Sequence, residues 1–361
     1  MQFKRLCTLL FLLIGLPLLG VWISGTPFHE AFLYIPQAIF IESTDSLPTY
    51  EFSWTYTLIL SILAAAIFPL FSLFLYRNIK QYGLQAPDPT NFPWWGWFSI
   101  VSLFFFWTVA WTRPPQFSYL NQLSFTLLWC SYIILLNALT YMRSGKCMLT
   151  NQSGYLVTLF IVSIPFWWYF EYLNRFTLNW YYLVPDATQK TSLSFLISGS
   201  IAFSTVLPAV ISAKDFFLTF PFISQSLQFK SRYHIGKPKR IALICLIASS
   251  ILLMGIGIWP HYLYPFLWIS PLFIFISLQT LWGEKQIFSQ GNWSVIIAAI
   301  FAGVLCGFTW EIWNILSMPK WLYSVPFVSQ VSLFEMPILG YLGYIPFGLE
   351  CLAIAEWIRQ K

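Results

Sequence analysis

Ten long apolar runs separated by short polar stretches constrain this chain more than anything else in it. A helix needs about 20 predominantly apolar residues to cross the hydrocarbon core of a bilayer. Runs of that kind occupy 6–24, 54–76, 95–111, 119–142, 154–172, 194–213, 241–259, 263–282, 294–313 and 334–357. Only 9% of the residues are charged, where a soluble domain carries about 25%. The fold class this dictates is an all-α, polytopic transmembrane helical bundle of about ten spans. The first run follows Lys4 and Arg5 and resembles a signal peptide. Its length suits a span and no small-x-small cleavage site precedes Thr26, so it reads as a retained helix.

Charge placement gives an orientation independently of hydropathy. With the N-terminus inside, 15 of the 19 Lys and Arg fall in cytoplasmic segments, and only Arg113, Arg175, Lys190 and Lys320 remain outside. Such a bias places both termini in the cytoplasm of a multi-pass protein in a cell membrane, such as a bacterial inner membrane. The largest inner loop, 214–240, holds six of the basic residues and reads as an anchor on anionic lipid, with a regulatory or nucleotide site as the alternative. The basic residues lie between apolar runs rather than in an aromatic-interleaved groove, so the bilayer, and not nucleic acid, is the expected partner. The outer segment 25–53, with Glu30, Glu42, Asp45 and Glu51, reads as an interfacial stretch.

No pair among Cys7, Cys130, Cys147, Cys245, Cys306 and Cys351 is spaced as CxxC, and most lie in apolar runs, which predicts small buried hydrophobes rather than disulfides or zinc ligands. His29 and His261 lack close ligand spacing to each other or to carboxylates, so no metal and no cofactor are expected.

Residues 1–150 form a four-span region without distinctive motifs, whereas the six-span region 151–361 carries a repeated one. Around the fifth run the chain reads Trp168-Tyr169-Phe170-Glu171-Tyr172-Leu173-Asn174, then Trp180-Tyr181-Tyr182 and Pro185. Around the ninth it reads Phe308-Thr309-Trp310-Glu311-Ile312-Trp313-Asn314, then Trp321-Leu322-Tyr323 and Pro326. Both fit Glu-x-x-Asn followed by Trp-x-Tyr-x-x-Pro with one residue of slippage between, and both precede a Ser-Leu pair that opens the next run. The copies, around 168–195 and 308–335, lie four spans apart. An even shift leaves both pointing outward, as a parallel repeat requires.

Within each copy the Glu and Asn are three residues apart and share a helix face. A carboxylate near the end of a span has to be paired, protonated or wet. Glu171 has Arg175 one turn on as a natural ion-pair partner, whereas Glu311 has no basic residue within a turn. Glu335 is a third acid at the outer side, and Ser332-x-x-Glu335 also reads as a capping box opening the tenth span. That span contains Pro337, Gly340, Gly343, Pro346 and Gly348, so its freed backbone groups need protein or a cavity around them, with Tyr341 and Tyr344 on nearly one face. Glu350 sits about 22 Å further along an ideal helix, too far to share a small site with Glu335.

A carboxylic acid kept neutral by apolar surroundings can protonate a carbon–carbon double bond, and aromatic faces stabilise the cation that follows. Trp310, Trp313, Trp321, Tyr323, Tyr341 and Tyr344 cluster in sequence around Glu311 and Glu335, which suits acid-initiated isomerisation of an apolar molecule dissolved in the membrane. The same residues would also suit an interfacial aromatic belt. The candidate catalytic set is Glu311, Glu335 and Asn314, with Asn314 orienting a carboxyl, and Glu171 and Asn174 from the first copy.

The stretch Trp310-Glu311-x-x-Asn314, Trp321-x-Tyr323 and Glu335-Met-Pro-Ile-Leu-Gly-Tyr-Leu-Gly-Tyr-Ile-Pro-Phe resembles the small membrane lycopene cyclase domain of bacterial heterodimeric and fungal bifunctional carotenoid enzymes. The resemblance covers about 45 residues. It implies tandem multi-span modules that close the linear ends of an isoprenoid chain into rings without net redox change, with Glu311 matching the Trp-adjacent acid and Glu335 the acid opening the following helix. That family places two adjacent acids at the second position, whereas here Glu335 is followed by Met336-Pro337. Three functions follow: a membrane enzyme acting on an isoprenoid or carotenoid, a transporter or lipid-handling protein without chemistry in which Glu311 and Glu350 relay protons, and a structural membrane subunit.

Overall fold

The apolar runs fold as helices throughout the computed structural model, which describes residues 2–27, 39–86, 89–184, 192–225 and 237–360. His29, Glu30, Pro185, Lys190, Lys230 and Arg232 lie outside the described residues. In chain order the principal elements are α1 (Gln2–Ser24), β1 (Phe40–Ile41), α2 (Trp54–Tyr82), α3 (Trp94–Thr112), α4 (Ser118–Ser144), α5 (Ser153–Thr177), β2 (Trp180–Leu183), α6 (Ser192–Phe203) and α7 (Val206–Leu218). They continue as α8 (Pro238–Ile256), α9 (Phe266–Leu281), α10 (Trp293–Asn314), β3 (Lys320–Tyr323), β4 (Ser332–Leu333), β5 (Met336–Pro337) and α11 (Tyr344–Arg359). Among the described residues nine helical segments are long and apolar enough to cross a membrane, and α9 is a tenth, shorter apolar helix.

Large apolar side chains cover the outside. Phe68, Trp94, Val101, Leu243 and Ile251 are all exposed, and a shell of this kind is stable only against lipid or another apolar surface. Polar residues are drawn inward instead: Ser163, Asn174, Glu311, Asn314 and Glu350 are each at most 4% exposed.

Two runs depart from the expected single helix. The run 194–213 is divided at Ser204–Thr205 into α6 and α7, because Pro208 has no N–H to give to the Ser204 carbonyl. Ser163 of α5 plugs the break: its hydroxyl donates to the Phe203 carbonyl (2.5 Å) and accepts the Leu207 N–H (3.0 Å). The run 334–357 does not open on a capping box. Ser332–Leu333 and Met336–Pro337 pair as the hairpin β4–β5, Glu335 lies in its turn, and a 3-10 stretch, Ile338–Gly343, precedes α11. Phe334 takes a left-handed conformation (φ 57°) in that turn, which carries Glu335 away from the helix axis.

Helix α10 lies at the centre, packed against both α7 and α11. Its buried face is built from small residues, Ala298, Ala299, Ala302, Gly303, Cys306 and Gly307, so backbones approach closely. A Cβ on Gly303 would collide with the Tyr344 carbonyl oxygen, and one on Gly348 with that of Ala299. Helices α1 and α8 cross by the same device at Gly20 and Gly257. At one end of the bundle β1, β2 and β3 form a three-stranded sheet, with β1–β2 parallel and β2–β3 antiparallel. One face of this sheet packs Tyr181 and Leu322 against Ile41 and Leu183.

Gly303→Ala is expected to lower stability by about 1–3 kcal/mol through overpacking. Gly154→Ala, in the first turn of α5 with open space around it, is expected to leave stability unchanged or slightly raised. Thermal unfolding in detergent micelles reads both.

Candidate functional site

The opposite face of the β2–β3 pair carries the aromatic residues of both Trp-x-Tyr motifs. The register sets Trp180 against Tyr323 and Tyr182 against Trp321, with Tyr181 opposite Leu322. Strand alternation therefore sends two Trp and two Tyr to one side.

Each strand is fixed by the Asn of its own Glu-x-x-Asn motif. Asn174 accepts the Trp180 N–H (3.2 Å) and the Asn179 N–H (2.8 Å) on Oδ1, and donates to the Trp180 carbonyl (2.8 Å). Asn314 accepts the Trp321 N–H (2.9 Å) and donates to the Trp321 carbonyl (2.7 Å). In both motifs one buried side-chain amide holds both backbone groups of the same Trp, as a neighbouring strand would. Neither Asn touches a carboxyl, so the expected role of Asn314 in orienting one directly is corrected: it positions the strand.

The strands in turn hold the carboxyls. Glu171 Oε1 accepts the indole N–H of Trp167 (2.9 Å), that of Trp180 (3.2 Å) and the hydroxyl of Tyr182 (2.7 Å). Glu311 Oε1 accepts the hydroxyls of Tyr323 (2.7 Å) and Tyr344 (2.8 Å), and the Tyr323 oxygen accepts the Trp321 indole N–H (2.9 Å). Burial, followed by the adjacent carboxyl, pushes the Tyr182 and Tyr323 hydroxyls well above the usual tyrosine range, so both remain donors at any ordinary pH. Oε2 of each glutamate makes no hydrogen bond among the described residues. The expected Glu171–Arg175 ion pair is absent: three donors from Trp167, Trp180 and Tyr182 turn the carboxylate inward instead.

The two clusters differ in the strand indole, which donates to the carboxyl from Trp180 and to the Tyr323 hydroxyl from Trp321, and in one further donor, for a steric reason. The residue four before Glu171 is Trp167, and the residue four before Glu311 is Gly307. A Cβ on Gly307 would collide with the Tyr344 ring. Tyr344 of α11 thus occupies the space that the Trp167 indole fills in the first cluster, and its hydroxyl takes over the donation. The one-residue slippage also has a structural origin. Leu178 ends α5 in a left-handed conformation (φ 50°), which brings the chain from Asn174 to Trp180 in one residue fewer than Asn314 to Trp321.

Below the strand pair lies a cavity of about 810 Å³, whose wall includes Trp167, Trp180, Tyr182, Trp268, Trp310, Trp321, Tyr323 and Tyr344. Its volume is in the range of small-molecule sites. Neither Glu171 nor Glu311 belongs to the wall; each reaches it through the hydroxyls and indoles that it binds.

The remaining candidates sit elsewhere. Trp313 is 2% exposed and packs edge-on against Trp129 and Tyr132, away from the cavity. Tyr341 donates to the Leu333 carbonyl (3.2 Å) and packs against Tyr344. Glu335 forms an ion pair with Lys320 (2.5 Å) and, like Glu311, is absent from the wall, so the expectation that the two acids line one chamber is corrected. Lys320, fifteen residues away in sequence, draws the Glu335 carboxylate to the base of β3. Glu350 is buried in α11 with neither oxygen hydrogen-bonded among the described residues. His261 packs against Tyr50 with the two rings tilted and their centroids 5.0 Å apart, and no three His, Cys, Asp or Glu among the described residues are grouped to hold a metal ion.

Sequence reasoning named the aromatics of the second motif and omitted those of the first, although Trp180 and Tyr182 match Trp321 and Tyr323 in the repeat. Trp168, quoted in the first motif, gives its indole N–H to Ser200 of α6 (2.9 Å). Its neighbour Trp167 is the one that reaches Glu171, a one-residue difference that motif spacing does not reveal.

Compared with family models, with curated proteins and with solved structures, the chain matches none of them.

Asn314→Ala is expected to lower stability by about 2–4 kcal/mol, since it breaks two bonds and leaves buried backbone groups unpaired. Glu335→Gln is expected to lose less than about 1 kcal/mol, because its pair with Lys320 is partly exposed. Thermal unfolding of the purified variants measures the difference.

Proposed function

We propose that this chain is a multi-pass protein of a cell membrane, with both termini cytoplasmic, that binds a membrane-dissolved isoprenoid or carotenoid in the aromatic cavity and isomerises it by acid catalysis. The observation that carries this reading is that the wall of one apolar cavity contains the hydrogen-bond donors of two buried carboxyls. The excess of Lys and Arg in alternate loops supports the orientation. The matching bond patterns of the two Glu-x-x-Asn motifs and the symmetric β2–β3 register support an internal parallel repeat, in which each copy contributes one carboxyl.

In this mechanism Glu311 is the proton source: as its carboxylic acid gives a proton to the oxygen of Tyr323 or Tyr344, that phenol turns its own O–H from the carboxyl to the substrate. A proton adds to a terminal double bond, the resulting carbocation is attacked by a second double bond to close a ring, and loss of a proton from the adjacent carbon restores neutrality. The product is an isomer of the substrate, with no net redox change. The faces of Trp310, Trp321 and Trp167 stabilise the cation, and Glu171 accepts the released proton through Tyr182; Glu171 then loses that proton and Glu311 regains one before the next turnover. The resemblance to the small membrane lycopene cyclase domain supports the same chemistry.

One observation favours a second reading, a transporter or lipid-handling protein without chemistry: both carboxyls stand behind the wall rather than in it. Expression in a lycopene-accumulating bacterial host, followed by pigment chromatography, separates the two. Cyclisation is expected to give a new product of unchanged mass that Glu311→Gln abolishes, with the variant still present in the membrane. An unaltered pigment profile with wild-type protein confirmed in the membrane would remove the cyclase reading and leave lipid handling.

A further inference from the structure

One buried acid has no part in the chemistry proposed above. Glu350, two turns into α11, is 4% exposed, and neither of its carboxyl oxygens has a hydrogen-bond partner among the described residues. No ion pair among the described residues includes it. Glu171 and Glu311, by contrast, gather three and two donors on one oxygen. An ionisable group inside a membrane bundle calls for a functional account, because burying it is costly.

Helix spacing puts Tyr344, Phe347 and Glu350 on one stripe of α11, three residues apart. Tyr344 belongs to the cavity wall, whereas Phe347 and Glu350 do not. Phe347 is 1% exposed, and its ring packs against those of Phe166, Trp167, Phe170, Trp268, Trp310 and Tyr344. The carboxyl thus lies one turn beyond an aromatic floor, on the side away from Glu311. What surrounds it there carries no positive charge to meet it. Tyr169 of α5 and its own neighbour Cys351 are the titratable side chains that feel its charge, a phenol and a thiol. Helix α9 presents the backbone at Leu272, and α10 opposes this part of α11 with Ala299 and Gly303. The buried ammonium of α7, Lys214, is committed to Asp215 (2.7 Å).

An ionised carboxylate without water, counter-ion or donors is among the costliest groups to bury, and in such a place the group neutralises instead. For a carboxylate, neutralising means taking up a proton. We propose that Glu350 is a proton-binding site inside the bundle, walled off from the aromatic cavity by Phe347 and filled by a proton in this arrangement of the helices. A metal cation would need further oxygen ligands around it, and no group of three acidic, His or Cys side chains stands ready among the described residues. The proton leaves when the packing of α9, α10 and α11 opens to water around the carboxyl. Release and opening are therefore linked, and a rise in pH favours the opened form. The site does not depend on the chemistry assigned to the cavity, which uses Glu171 and Glu311.

Infrared difference spectroscopy of the full chain in lipid nanodiscs at neutral pH tests this by comparing wild type with Glu350→Gln. Wild type is expected to show one additional carbonyl stretch of a protonated carboxyl, at the high frequency of an acid without hydrogen bonds. That band is expected to persist when sodium is added at constant pH and to be lost in the variant. Loss of a carboxylate stretch in its place would mean an ionised Glu350, and loss of the wild-type acid band on adding sodium would mean a metal-cation site; either overturns the assignment. Glu350→Met supplies a second readout, thermal unfolding in detergent micelles. An apolar side chain of similar size removes the unpaired acid, so its midpoint is expected to lie above that of wild type. The bound proton stabilises wild type least at high pH, so the gap is expected to widen as pH rises above the ordinary carboxyl range. A midpoint lowered by Met, or a gap that stays constant with pH, would contradict the proton site.

Discussion

A carboxyl group inside an apolar bundle needs donors brought to it, and the way this chain supplies them organises the whole strand-bearing end of the helices. Glu171 and Glu311 cannot be satisfied by their own helices, whose N–H groups are already used. Each is met by a short strand that folds back over the helix end, and each strand is held by the Asn one turn beyond the acid. Glu, Asn, Trp and Tyr thus act as a unit: removing the Asn frees the strand, and freeing the strand leaves Glu171 with Trp167 alone and Glu311 with Tyr344 alone. Because the two strands also pair with each other, the two units are mechanically joined. The cavity is the space that this joint roof encloses.

The helical architecture was legible because crossing lipid demands length and apolarity, and both can be counted along the chain. Where the reading slipped, a local backbone group was responsible. Pro208 splits one run into α6 and α7, and the turn at Phe334 delays α11 until after a 3-10 stretch. The repeated Glu-x-x-Asn and Trp-x-Tyr spacing located the two clusters, since helix periodicity and strand alternation place those residues with little help from the rest of the fold. Partners from distant segments were not legible. Tyr344 reaches Glu311 across 33 positions, Lys320 takes Glu335 out of the cavity, and Asn121 lines the cavity from the four-span region, which carries no motif.

The two clusters are alike in plan and unequal in detail, and the inequality lies on the cavity side. At Glu171 the third donor is an indole from the same helix; at Glu311 the extra donor is a phenol from α11, admitted by the missing side chain of Gly307. Both clusters present a strand phenol to the cavity, Tyr182 at Glu171 and Tyr323 at Glu311, so the second acid differs by one added phenol in place of an indole.

The pairing of β2 with β3 in register is the link on which roof, carboxyls and cavity all depend, and disulfide trapping in native membranes tests it most directly. Directly opposed strand residues have Cα atoms about 4.5–5.5 Å apart, within disulfide range. Tyr181→Cys combined with Leu322→Cys is expected to cross-link on mild oxidation, with neither single variant doing so. Cross-linking of the slipped pair Tyr181→Cys with Ser324→Cys, in place of the 181–322 pair, would contradict the arrangement.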